Sequence, residues 1–156
     1  MFREMRRKRQ LLPQEQALEI LENGTSGVLA LSGDGGYPYA VPMSYVYNDG
    51  KIYFHCAKAG HKIDAIRACD KASFCIHDEG VRMDGEWPVH FRSVIVFGRI
   101  APVTDEAATA LACKELSRKF TPDDEYFNKE YAAAKDRVLC LALTPEHITG
   151  KRIKEN

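Results

Sequence analysis

The sequence predicts an α+β protein, mainly β, whose antiparallel strands close or nearly close into a barrel. Three observations carry this. Six runs read as strands, at residues 26–32, 38–47, 51–56, 72–78, 89–103 and 137–144. Tight turns join the early ones, and Asn48-Asp49-Gly50 between two apolar runs is a strong hairpin signal. Helical stretches are few and stand between groups of strands, so they do not supply the crossovers a parallel sheet needs.

The elements follow in order. Arg3 to Arg9 is a charge run that reads as a solvated arm or as a segment crossing to a partner subunit. Pro13 suits a first helical position and Glu15 suits a first turn. Ala17, Leu18, Ile20 and Leu21 then make one apolar stripe, and Gly24 reads as the C-cap. Ser26 to Ser32 is a strand followed by the turn Gly33-Asp34-Gly35-Gly36. No GK[ST] follows that turn and no helix opens there, so a nucleotide loop is a weak reading. The strand at 38–47 contains Pro42, which cannot donate to a ladder and belongs on an edge or at a bulge. Pro42 is therefore either a plain edge residue or a place where the backbone is left free for a ligand.

The strand at 51–56 ends in the turn Lys58-Ala59-Gly60, and a helix follows at His61 with Ile63, Ala65 and Ile66 on its apolar side. A strand over 72–78 leads to a loop with Gly80, Gly85, Trp87 and Pro88. Residues 89–103 form the longest strand candidate, apolar on both faces from Val94 to Phe97, so both faces are expected to be covered. Thr104 begins a helix with Asp105 and Glu106 at its N-terminus, a further helix is expected over 123–134, and 137–144 is the last strand.

Length and charge bound the function. A chain of 156 residues fits one domain, 1–156, with a substantial core. Lys plus Arg and Asp plus Glu both number 22, and this balance argues against a nucleic-acid binder. The basic N-terminus has no apolar core behind it, so it does not read as a signal peptide, and no run is long enough to span a membrane. Five cysteines without a CxxC fit free thiols in a reducing cytoplasm. Cys75-x-His77 and His55-Cys56 are scattered pairs, so no metal site is expected.

The pattern at the turn is more specific. Lys58, His61 and Lys62 surround a glycine where a strand hands over to a helix. A helix N-terminus directs free N–H groups outward, and with lysines beside it forms an anion site. On spacing alone the alternative is an ordinary turn with surface lysines. His55, just before this turn, shares a strand face with Tyr53, and is either a structural histidine or a proton donor to a substrate. His77, His90 and His147 read as structural or surface residues, and Tyr45, Tyr47 and Phe91 as core or interface aromatics.

The stretches PYAVPMSYVY, KIYFHCAKAGHKIDAI, FRSVIVFG and EHITGK resemble the flavin-binding split-barrel proteins of the pyridoxamine 5′-phosphate oxidase-like superfamily, and most of all its nitroimidazole-resistance branch. The resemblance runs from about Arg3 to Lys151. It implies a six-stranded antiparallel split β-barrel and a homodimer with FMN, or FAD, in a cleft at the subunit interface. It implies phosphate binding by Lys58, His61 and Lys62, and a flavin lying along Val41, Pro42, Met43 and Ser44. Phe54, His55, Arg92 and Ser93 match positions beside the cofactor, with His55 as the catalytic candidate. The oxidases that act on pyridoxamine phosphate carry an Arg-Lys pair at the turn and a longer basic and aromatic tail. Here the turn has Lys58-Ala59 and the tail is HITGKRIKEN, which argues against vitamin-B6 oxidation. The expected function is an FMN-dependent oxidoreductase reducing a small aromatic or nitroaromatic acceptor. The alternatives are a non-catalytic flavin or haem carrier and, more weakly, a metal-storage protein.

Overall fold

In the computed structural model, which describes residues 1–155, the strands form one eight-stranded sheet that curls round an apolar interior. Asn156, the last residue of the expected domain and of the HITGKRIKEN tail, lies outside the described residues. The strands are β1 (Ser26–Ser32), β2 (Pro38–Ser44), β3 (Val46–Asn48), β4 (Lys51–Ala57), β5 (Lys71–His77), β6 (Val81–Arg82), β7 (Val89–Pro102) and β8 (Val138–Glu155). The helices are α1 (Gln14–Asn23), α2 (His61–Ala68), α3 (Glu106–Arg118) and α4 (Asp124–Ala134). All pairings are antiparallel, in the order β2-β1-β5-β7-β8-β4-β3, with β6 on β7.

The two ends of that order are one piece of chain. β2 and β3 are separated only by Tyr45, so the segment that starts at one edge of the sheet finishes at the other. Counting β2 and β3 as one strand and setting aside two-residue β6 gives the six strands of a split barrel. The expected strand over 38–47 therefore breaks at Tyr45, and the break has a packing reason. Tyr45 is fully buried, meets Phe74 edge-on at 4.9 Å, and donates its hydroxyl to the Leu21 carbonyl at 2.8 Å. Phe74 also meets Phe54 at 5.1 Å, so one ring ties the β2–β3 break, β4 and β5 together at the centre.

Gly24 is the C-cap of α1, as expected, with an extended backbone (φ −69°). Glycine is needed there because a Cβ would collide with the Tyr45 hydroxyl. Lys119 covers this helix end, giving its ammonium to the carbonyls of Glu22 and Gly24. The longest strand is β8, not the strand at 89–103: the tail continues the ladder, and a bulge at Phe97/Gly98 absorbs Glu146. Within one chain the stretch Val94 to Phe97 is fully covered on its inner face, while on its outer face Phe2 stacks on Phe97 at 5.6 Å. Val94 and Val96 are buried, whereas Ile95 and Phe97 remain 40% exposed on the outer face. The N-terminal arm folds back on its own chain, with Leu12 N–H bonded to the Gly150 carbonyl at 3.0 Å and Phe2 stacked on His147 at 4.8 Å.

Candidate functional site

A barrel closed by a bent strand leaves a gap where that strand changes partners. β2 pairs only with β1, and β4 beyond Tyr53 pairs only with β8. These two unpaired edges approach each other without forming a ladder, which makes the split. Pro42 sits in β2, whose outer edge is unpaired, so its missing N–H costs the sheet nothing there.

The chain leaves β4 at this split and turns at once into α2. Gly60 has φ 120°, a conformation that only glycine adopts without strain. Its carbonyl accepts from Ile63 and Asp64, and no side chain caps the helix. The amides of His61 and Lys62 carry no protein acceptor among the described residues. Lys58 is exposed beside them and Lys62 is half-buried. Unpaired amides, a helix N-terminus and two lysines are the components of an anion site. The His61 side chain points away from it, stacking on Tyr39 at 4.0 Å with Nε2 3.6 Å from Asp34, so its share in such a site is its amide.

His55 stands between the turn and a cavity of about 460 Å³. β2 and β4 supply Ser44 and His55 to its wall, α3 supplies Cys113, Leu116 and Ser117, and α4 supplies Phe127, Glu130 and Tyr131. Alternation puts Ile52 and Phe54 in the core and His55 outside it, as the strand pattern requires. Burial, and then the charge of Lys62, push the His55 imidazolium below its ordinary pKa of 6.5. Both effects favour the neutral ring, and an anion on Lys62 would offset the second, smaller one. The cavity wall is mainly apolar with a few convergent polar groups, the composition expected where a flat organic molecule binds.

The remaining candidates are dispersed. Ser44, His55, Lys58 and Lys62 gather at the split. Pro42 and Arg92 line a different cavity of about 580 Å³, under the C-terminal end of α1. There Arg92 is held by Asp78, whose carboxylate accepts from both Arg92 Nε (2.9 Å) and Arg92 N–H (2.7 Å). The paired guanidinium keeps the Asp78 carboxyl below its usual range against the opposing effect of burial. Ser93 alternates with Arg92 on β7 and sits opposite Lys151 of β8. Phe54 is fully buried and Met43 nearly so, and Val41 packs on the same core. As side chains these three are walls of the barrel, and only their main chain reaches the split. Sequence reasoning missed the α3 and α4 residues. α4 carries Tyr126, Phe127 and Tyr131 yet buries none of its residues in the core, and no local pattern marked either helix as a cavity wall.

Residues 13–152 match the family model described as pyridoxamine 5′-phosphate oxidase. No curated protein matches significantly. Solved structures with the same fold include a 5-nitroimidazole antibiotic resistance candidate from Bacteroides thetaiotaomicron, 18% identical over 93% of this chain and 87% of that one, TM-score 0.76. A FAD-binding protein from Mesorhizobium loti is 22% identical over 92% of this chain and 96% of its own, TM-score 0.66. The FAD binding protein from Mycobacterium smegmatis is 20% identical over 94% and 99%, TM-score 0.69. Since the family model spans nearly the whole barrel, from the start of α1 into the last residues of β8, the chain belongs to the pyridoxamine 5′-phosphate oxidase family.

Proposed function

We propose that this protein binds FMN at the split between β2 and β4 and passes electrons to a small aromatic or nitroaromatic acceptor. The observation that carries the reading is the meeting of Lys62, His55 and Ser44 at that split beside a largely apolar cavity of about 460 Å³. Lys58, Lys62 and the first amides of α2 suit a phosphate. The unpaired edges of β2 and β4 offer main-chain donors and acceptors to a polar heterocycle. The bound group would supply two-electron redox chemistry, and the protein would supply position and electrostatics. His55 then holds the acceptor in place by hydrogen bonding, and with an anion beside Lys62 it gains the charge to donate a proton.

A homodimer is part of the proposal. Val28, Cys75 and Ile95 lie side by side across β1, β5 and β7 on the outer face, with Pro42 opposite Val28 in β2 and Phe97 in the next row. Val28, Ile95 and Phe97 are each 40% exposed, an apolar band of the kind that subunit interfaces cover. A partner across this face also offers a way for Pro42, Arg92 and Ser93 to complete a site that one protomer leaves open. No described helix is long and apolar enough to cross a membrane.

The test begins with titration of the purified protein by FMN, FAD and riboflavin, followed by absorption. FAD is included because two structural neighbours are FAD-binding proteins. His55→Ala should keep its flavin and remain reducible by dithionite. Its reoxidation by a nitroaromatic should slow by about 10²–10⁴-fold, the contribution of one positioned proton donor. Reoxidation by oxygen should change far less. A mutant that keeps both its flavin and its nitroaromatic rate would leave the carrier reading in place of the enzyme.

A further inference from the structure

Cys113 of α3 and Cys140 of β8 are separated by 27 positions in the chain, yet their sulfurs lie 3.3 Å apart. The reason is local. Cys140 alternates with Leu139 and Leu141, so those leucines face the barrel interior while Cys140 faces outward beneath α3. It is buried there, 1% exposed, with its sulfur 3.7 Å from the Thr109 carbonyl. Cys113 is partly exposed and lines the cavity that holds His55. One thiol is thus open to a small solute from the cavity, and the other waits directly behind it.

We propose that Cys113 and Cys140 are a reversible dithiol–disulfide pair that responds to hydroperoxides entering the His55 cavity. The Cys113 thiolate attacks one peroxide oxygen. The O–O bond breaks, an S–OH forms on Cys113, and the departing hydroxide leaves as water with a proton. The Cys140 sulfur then attacks the Cys113 sulfur. The S–S bond forms, the S–O bond breaks, and a second water leaves with the Cys140 proton. Two thiols lose two electrons in total and one hydrogen peroxide becomes two waters. A disulfide is about 2.05 Å long, so the sulfurs must close by roughly 1.3 Å, a distance within reach of small side-chain and helix adjustments. The hydrogen bond between the two thiols holds the Cys113 thiol below its ordinary pKa, whereas the same contact and burial raise Cys140. Cys113, which opens on the cavity, is the attacking thiol, and Cys140, buried behind it, the resolving one. The product ties α3 to β8 and so fixes one wall of the cavity to the sheet. None of this depends on flavin.

The experiment treats the full-length protein with hydrogen peroxide, quenches, alkylates under denaturing conditions and maps the peptides. Of the five cysteines, two should resist alkylation, and the protein should be about 2 Da lighter before alkylation. One cross-linked peptide should join Cys113 to Cys140, and dithiothreitol should restore both thiols. In Cys140→Ser, the sulfenic acid on Cys113 should persist and be trapped by a cyclic 1,3-dione. In Cys113→Ser, Cys140 should remain alkylatable. Wild-type protein in which Cys113 and Cys140 both stay free, while Cys69 or Cys75 is oxidised, would overturn the proposal without recourse to any variant. So would a Cys113 sulfenic acid that persists in the wild type.

Discussion

Replacing Lys62 by alanine separates a phosphate contact from a folding role. Lys62 is half-buried in the first turn of α2 and close enough to depress the His55 pKa. Lys58 is exposed, and its charge is largely screened. A hydrogen bond from a charged group contributes about 1.5–3 kcal/mol. Lys62→Ala should therefore weaken FMN by about 10-fold to 150-fold. Lys58→Ala should cost at most about 1 kcal/mol, roughly fivefold. Riboflavin lacks the phosphate, and its affinity should hardly change in either variant. The assay is fluorescence titration of apoprotein with both ligands at two salt concentrations. Removing Lys62 should also raise the His55 pKa, because a nearby positive charge disfavours imidazolium. NMR titration of the ring protons reads that shift in the same samples. Equal losses for FMN and riboflavin would refute the reasoning, since they would show that the lysine acts through the fold or the ring. An unmoved His55 would refute the claimed proximity.

The other predictions concern stability and assembly. The folded state depresses His55, so the unfolded chain binds its proton first and stability falls as pH drops below 6.5. His55→Gln should lose that part of the slope in urea unfolding between about pH 7.5 and about pH 5.5. Phe74→Ala removes the ring that both Tyr45 and Phe54 pack against, and should destabilise by about 3–5 kcal/mol in denaturant unfolding. Ile95→Glu places a charge in the exposed apolar band but outside the core, so sedimentation should show a folded monomer. A dimer that persists in this variant would move the interface elsewhere.

Sequence alone determined most of the elements and the location of the β4–α2 turn proposed as the anion site. Gly60 had to be flexible and Asn48-Asp49-Gly50 had to turn, and both signals are local chemistry. The alternation Ile52, Phe54 against Tyr53, His55 put His55 on the face of Tyr53, and the structure decides that this is the face outside the core. Only the tertiary structure decided the rest, because it depends on contacts between distant parts of the chain. Tyr45 breaks its strand because Phe74 and the Leu21 carbonyl hold it inside, neither of which lies near it in sequence. The tail from 145 onward, with Pro145 and Gly150, reads locally as irregular and becomes strand only because β7 offers it a full ladder. The α3–α4 wall of the cavity and the meeting of Cys113 with Cys140 were hidden for the same reason. Neither thiol carries a spacing signal, and it is the closing of the barrel that brings α3 down onto β8.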